Sequence, residues 1–548
     1  MDAITKVNSE SLQDCNQPSS SKVVQYAFHV VRPKKVPPPS PHFLSSIDLC
    51  YSKPEFSTLV LFFKDCFSPS TGAKSLVDSL RSSLSKVLVF YPVLAGRLRV
   101  NESGRIEVNM NGQGVHFVES KVDSSFQDWQ DIRQCPLDID LSLDTGVVNP
   151  SDVPLIKFHL TQFHCGSIAI AVHFLHIVLD GSSLYNFLNA WAKVHRGSTL
   201  FCESFGRERA LLARDPPKVD APVPFIIDAA ARDKQIDPSN ITPCNLVTLR
   251  MEQAAIDACK REAQTGAFAY NGGKATGFEA VLSLLWSSIL RAQGVPQHLD
   301  TAILFSINLR GQKLAVVPQN YFGNAVANCQ VHASRAGDIV ASDLSYAAHL
   351  IHKAKISCNR ASVQSMLDWL ELNSAHLHKE LHWRRGIMST TMTNFHMYGL
   401  DFGWRGGALS QLCFLPSKVP PHMPFVAMLP SPRPKSIEIV IGLHHQDREV
   451  LLQDHLFTRY FSASEIKLWT GDRILVFMTT DRVGTRLVER LPGDGYRFHT
   501  MTPSPSTTNH VPRRDHATGN RNTFTYTLEG WPAFGSKGQL TGFTLARS

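Results

Sequence analysis

The clearest signal along the 548 residues is a change of hydrophobic period within the first half. Leu155 to Leu160 and Ser167 to His176 read as two strands joined by a turn near His164 to Gly166, the second apolar enough to lie inside a sheet. Directly afterwards Leu184, Phe187, Leu188, Trp191 and Val194 recur at helical spacing, with Ser182 or Ser183 as N-cap and Gly197 past the end. The segment is therefore predicted to be a strand, a tight turn and a helix. Upstream, Leu59 to Phe63 is a β-prone run, and Leu76, Leu80, Leu84, Val87 and Leu88 predict a helix that Pro92 stops. Gly104 to Val118 predicts short strands around an Asn111-Gly112 turn, while Pro33 to Pro41 is too proline-rich for a helix or a central strand.

From about Arg207 to Pro243 the periodicity gives way to prolines and charges, which predicts a crossover between two domains. The second half resumes with a helix from Phe278 to Ala292, a strand at Ala302 to Leu309, a helix around Val340 to Lys355 and a strand at Ile437 to Leu443. Strands and helices mix in both halves, so an α/β architecture is expected twice over. The expected divisions are an N-terminal domain at 22–206, a crossover loop at 207–243, a C-terminal domain at 244–462 and an atypical tail at 463–548. Within that tail Met501 to Asn522 has the composition of a disordered segment, with Arg473 to Met478 and Phe524 to Leu528 as isolated strands.

Composition narrows the function classes. A hydrophobic fraction of 43% and a mean hydropathy of −0.10 describe a globular chain. The longest nearly apolar run, Ser167 to Leu179, falls short of the ~18 residues a membrane span needs. Met1 to Ser21 is polar and carries Asp2, Glu10 and Asp14, unlike a signal or transit peptide, so a cytoplasmic protein without a membrane partner is expected. Eleven cysteines occur without a C-x-x-C pair, which argues against both a disulfide framework and a zinc site. The net charge of +8 is not gathered into one stripe: after residue 462 there are eleven Lys or Arg against seven Asp or Glu, half of the excess. That distribution fits a mildly basic enzyme attracting an anionic co-substrate better than a nucleic-acid binder.

The most informative site is the strand-to-turn junction His176-Ile177-Val178-Leu179-Asp180-Gly181. An imidazole ending a buried strand, ahead of a turn into a helix, sits where sheet proteins place catalytic groups. By itself the spacing is better explained by a hydrogen-bonded core histidine. Other candidates fail. Gly273-Lys274 lacks the P-loop pattern, with Phe268 at the first glycine position and Ala275 at the Ser/Thr position; no G-x-S-x-G exists; and Glu380 between His378 and His382 is at the wrong offset for a metalloprotease. No metal is expected.

His176 to Gly181 (HIVLDG) and Asp401-Phe402-Gly403-Trp404 (DFGW) together resemble the paired HxxxD and DFGWG motifs of the plant BAHD acyl-CoA-dependent acyltransferases. Leu84 to Leu98 (LSKVLVFYPVLAGRL) and Tyr321-Phe322-Gly323-Asn324 (YFGN) are similar to further signatures of that family, in its order, and the resemblance spans about Val30 to Phe461. It implies two chloramphenicol-acetyltransferase-like domains with mixed sheets, joined by the crossover loop. It also implies a monomer that binds no resident cofactor and uses acyl-CoA as co-substrate. The implied reaction moves an acyl group, aromatic of the hydroxycinnamoyl type, to the hydroxyl or amine of a small acceptor.

In that reading His176 is the general base, with an ordinary pKa near ~6.5 that suits the role. Asp180 supports the turn by pairing with Arg310, and Thr390 supplies an oxyanion donor. Asp401, Phe402, Gly403, Trp404 and Arg310 are structural. Three departures stand out. Arg405 takes the place of the last glycine of DFGWG, ahead of Gly406-Gly407, and is expected to shift that loop. Met392 stands where the family has a tryptophan in the acceptor pocket. Asn394 stands where the family's shikimate and quinate enzymes carry an arginine for the acceptor carboxylate, so a carboxylated acceptor is disfavoured. Tyr398-Gly399-Leu400 is similar to enzymes acting on polyamines. A condensation-type domain, which shares H-x-x-x-D-G, and a non-catalytic paralogue serving as a binding module remain as alternatives.

Overall fold

The computed structural model describes residues 7–8, 23–36, 38–51, 56–67, 74–123, 125–126, 150–200, 211–223, 245–265, 274–311, 316–333, 335–341, 343–373, 386–415, 424–461, 466–468, 475–481, 484–491 and 495–501. Two seven-stranded mixed sheets carry it. The first runs in the order Val7–Asn8, Val23–Val31, Val115–Val122, Ile156–Phe163, Ile168–Leu175, Phe56–Phe63 and Gln411–Leu415. The second runs Val326–Ala333, Thr301–Asn308, Gly386–Thr391, Phe425–Pro430, Ser436–Leu443, Asn245–Glu252 and Ile466–Leu468. The two follow one plan. In each a parallel pair leads into an antiparallel hairpin, and a strand from earlier in the chain flanks the hairpin.

The hairpin Ile156–Phe163 and Ile168–Leu175 explains where the chemistry sits. Every residue of Ile168–Leu175 is buried, as a run that is apolar but for His173 requires. One face packs on the helices Lys74–Val87 and Gly181–His195, with Leu80, Leu84, Phe187 and Trp191 at 0% exposure. The latter helix starts two residues after Leu179, so the turn between is short and its geometry is set by elements already locked in the core.

Several elements differ in detail from the sequence pattern. The N-cap of Gly181–His195 is Asp180, whose side chain accepts from the Ser183 N–H, in place of Ser182 or Ser183. A carboxylate is as good a cap as a hydroxyl, and the Ser183 hydroxyl is engaged elsewhere. At the other end Gly197, φ +89°, and Ser198 return hydrogen bonds to Val194 and Lys193, which terminates the helix. The single helix expected around Val340 to Lys355 is two, Ala336–Ala341 and Leu344–Ser357, because Asp343 caps the second by accepting from Ser345. Gln411–Leu415 belongs by sequence to the second half yet pairs with Phe56–Phe63 of the first sheet. Beyond residue 462, Ile466–Leu468 adds to the edge of the second sheet, and Leu475–Asp481, Gly484–Leu491 and Gly495–Met501 form a three-stranded antiparallel sheet. Phe524 to Leu528, nearly all of Met501 to Asn522, and His378 to His382 lie outside the described residues. Among the described residues no helix is long and apolar enough to cross a membrane.

Candidate active site

Asp180 ties the turn after His176 to the second sheet. Its carboxylate accepts from Ser183 N at 2.9 Å, Ala325 N at 2.9 Å, Arg310 Nη1 at 2.7 Å and Arg310 Nη2 at 3.0 Å. Four donors nearly exhaust the lone pairs of a carboxylate, so little of it is left to meet a substrate. Arg310 is as fully engaged: Nε donates to Tyr321 O, Nη1 also to Asn308 Oδ1, and Nη2 also to Ser183 Oγ and Gly323 O. A buried ion pair of this kind persists only where geometry and surrounding hydrogen bonds offset desolvation, and here both side chains are 3% exposed or less.

Tyr321 to Asn324 complete the junction. The Tyr321 carbonyl receives Arg310, and the Phe322 ring lies 5.2 Å from Tyr91 in an edge contact. Gly323, φ +139°, donates its N–H to Ser183 Oγ and accepts the Ser183 hydroxyl at its carbonyl. A side chain at Gly323 would fit neither that φ nor the Tyr321 ring 3.2 Å from the Cβ position. Asn324 Nδ2 donates both to His176 O at 2.7 Å and to Asp48 Oδ1 at 2.8 Å.

His176 is thereby fixed through its own main chain. Its ring lies against Tyr51, centroids 4.1 Å apart and planes 25° apart. Burial lowers the imidazole pKa, with the nearby charge of Asp180 opposing the shift, so the ring is neutral at pH 7. Burial likewise raises the Asp48 carboxyl, which also takes hydrogen bonds from Ser45. Asp48, Tyr51 and Asn324 are members of this site that the motif reading did not assign. The first had a local signal, since Ser45-x-x-Asp48 is a capping-box pattern and both halves of the box are formed.

The second sheet brings up the facing side. Thr390 is half-buried near the end of Gly386–Thr391, and the chain continues through Met392 to Phe395. Met392 Sδ and Phe395 Cε2 lie 3.6 and 3.1 Å from the Cβ position of Gly181, and Phe395 stacks on Tyr185 with centroids 5.8 Å apart. Met392 thus reaches the turn after His176, while Asn394 is exposed.

The segment Asp401 to Trp404 lies at the other end of helix Gly181–His195. Phe402 and Trp404 stack at 4.7 Å and meet Phe63 and His195; Phe402 also meets Trp191. Fifteen helical residues span roughly 20 Å, so these aromatics stand apart from His176. Gly403, φ +81°, receives no side chain without meeting Arg196, whose guanidinium hydrogen-bonds Asp401 O. The loop shift expected from Arg405 is absorbed: Arg405 is exposed and outside the positive-φ region, while the close approach falls to Gly406. A Cβ on Gly406 would stand 1.7 Å from Lys64 O. Among the described residues no three His, Cys, Asp or Glu side chains are grouped as metal ligands.

Known proteins give this arrangement a context. Over 426 residues the chain is 26% identical to the omega-hydroxypalmitate O-feruloyl transferase of Arabidopsis thaliana, covering 75% of this chain and 89% of that one. Over 398 residues it is 28% identical to the shikimate O-hydroxycinnamoyltransferase of Nicotiana tabacum, covering 68% and 86%. The crystal structure of F. graminearum TRI101 with coenzyme A and T-2 mycotoxin superposes with a TM-score of 0.62 at 13% identity, over 79% of this chain and all of that one. At that identity the likeness is one of fold, α/β with two chloramphenicol-acetyltransferase-like domains. The pattern that defines the Transferase family matches residues 22–456, well over half of the sequence, and the chain belongs to that family, the plant BAHD acyl-CoA-dependent acyltransferases.

Proposed function

We propose that the chain transfers an aromatic acyl group of the hydroxycinnamoyl type from a CoA thioester to the hydroxyl or amine of a small acceptor that carries no carboxylate, with His176 as general base. The observation that carries this reading is that His176, kept neutral by burial, is held at the turn where residues of both sheets converge. A neutral imidazole takes the acceptor proton as the oxygen or nitrogen attacks the thioester carbonyl. The tetrahedral oxyanion is met by a donor, the role assigned to the Thr390 hydroxyl. Collapse breaks the C–S bond, and the departing CoA sulfur takes the proton back from the imidazolium. Asp180 and Arg310 hold the turn and take no proton.

The acyl class is supported by the feruloyl and hydroxycinnamoyl groups that the two relatives are named for. An acceptor without a carboxylate is supported by Asn394, exposed and neutral where a carboxylate-binding arginine would stand. A cytoplasmic monomer completes the proposal. The test is a screen of acyl-CoA donors against acceptors, with His176→Ala as control. Aromatic acyl-CoA should turn over, and the variant should lose ~10²- to 10⁴-fold in rate while melting like wild type. Turnover within about threefold of wild type, far short of that loss, would remove His176 from the chemistry.

A further inference from the structure

The hydrogen bond from Asn324 fixes the His176 main chain but leaves the torsion that turns its ring, a broad one for an imidazole. Nδ1 of that ring is buried without a well-formed hydrogen bond. What faces the ring is Tyr51, nearly parallel at 4.1 Å. Tyr51 is itself held from both sides of the junction. Its N–H donates to Asp48 O at 3.0 Å, closing the turn after helix Ser46–Leu49, and its hydroxyl accepts from Asn328 Nδ2 at 3.4 Å. Asn328 is anchored in turn by the Ser306 hydroxyl on the paired strand, 2.8 Å away. Burial raises the Tyr51 pKa, so the ring presents a neutral π face.

We propose that Tyr51 is a positioning residue for His176: its ring sets the plane of the imidazole and stabilises the imidazolium that forms when the acceptor proton is taken. This rests on His176 being the base. The stabilisation arises because the ring quadrupole attracts a cation over its face, more strongly where water is excluded. Since the charge exists on His176 only after proton transfer, the effect belongs to the transition state and should appear in kcat.

The experiment compares Tyr51→Phe, which keeps the ring, with Tyr51→Leu, which keeps only apolar bulk. Phe should hold kcat within about threefold of wild type, while Leu lowers kcat roughly tenfold with the KM for acyl-CoA unchanged. The acid limb of the kcat/KM profile should move to lower pH in the Leu variant alone, because the charged imidazole loses its stacking partner; Asp180, Asp48 and the Tyr51 hydroxyl are the other titratable groups about it. In a His176→Ala background Tyr51→Leu should cost nothing further, since the interaction it removes is already gone. Tyr51→Met serves if the Leu variant does not fold. A Leu or Met variant with wild-type kcat and an unmoved acid limb would overturn the proposal, as would a Phe variant as impaired as Leu. Unaltered turnover in His176→Ala alone would instead reject the base assignment on which it rests.

Discussion

Asp180 caps the helix Gly181–His195 through Oδ1 and, with both oxygens, grips the guanidinium of Arg310 at 2.7 and 3.0 Å from the far sheet. One side chain therefore terminates a local element and joins the two halves of the molecule. His176 lies four residues before it, at the start of the turn that this carboxylate closes.

Replacing Asp180 by Asn leaves a cap but strips the charge opposite Arg310, whose side chain is fully buried. Breaking such a pair from one side costs about 3 to 5 kcal/mol, because the remaining charge is buried and uncompensated. Asp180→Asn is expected to melt well below wild type and to lose activity with that loss of structure. A variant that melts like wild type and is nonetheless inactive would make Asp180 a participant in the chemistry.

What could be read from the sequence follows from the range of the interactions involved. The strand, turn and helix around His176 are local, and Leu184, Phe187, Leu188 and Trp191 announce the helix by spacing alone. The placement of Gln411–Leu415 was not legible, since alternation marks a strand without naming its partner, and this strand pairs with residues some 350 positions earlier. Asp48 and Tyr51 were missed for the same reason. Their meeting with His176 depends on Asn324 and Asn328, which lie on or beside a strand of the other sheet. The YFGN residues were visible as a motif, but the task of each, a carbonyl for Arg310, a ring for Tyr91, a backbone for Ser183 and an amide for His176, exists only in three dimensions.

Burial lowers the His176 pKa from its ordinary 6.5, and the proposed base must be neutral to accept a proton. The kcat/KM profile is therefore expected to be flat through neutral pH and to fall only on the acid side, with a midpoint below ~6.5. A midpoint at or above pH 7 would mean that another group, or the substrate, sets the limb.

Two further histidines make stability depend on pH. His173 hydrogen-bonds Thr58 at 2.8 Å, and His159 hydrogen-bonds Ser120 at 2.8 Å. Burial holds the first far below its ordinary pKa and takes the second to about 4. In the unfolded chain both bind a proton near pH ~6.5, so the unfolded state gains protons first as the pH falls. Their contribution is complete above ~6.5 and is lost toward the folded values, at about 1.4 kcal/mol per group per pH unit. Thermal melts at pH 7.5 and 5.5 should differ by several degrees, with the lower pH less stable. Equal melting temperatures would show that the two imidazoles are not kept neutral by the fold.

The segment after DFGW separates a tolerant position from an intolerant one. Arg405 is exposed and adopts no left-handed backbone, so Arg405→Gly is expected to change the melting temperature and turnover little, even though it restores the family's motif. Gly406 is its opposite: its N–H donates to Asp65 O at 3.1 Å, and a methyl group there would stand 1.7 Å from Lys64 O. That neighbour is backbone and has no rotamer by which to yield. Gly406→Ala must therefore push the loop off the end of strand Phe56–Phe63, disturbing the registry with Gln411–Leu415 that begins five residues later. Overpacking of this kind costs about 1 to 3 kcal/mol. Because the loop is roughly 20 Å of helix away from His176, the loss should appear in the melting curve while the KM for acyl-CoA of the folded fraction holds. If Arg405→Gly were the more damaging change, the close approach of Gly406 to Lys64 would not be what seats this loop.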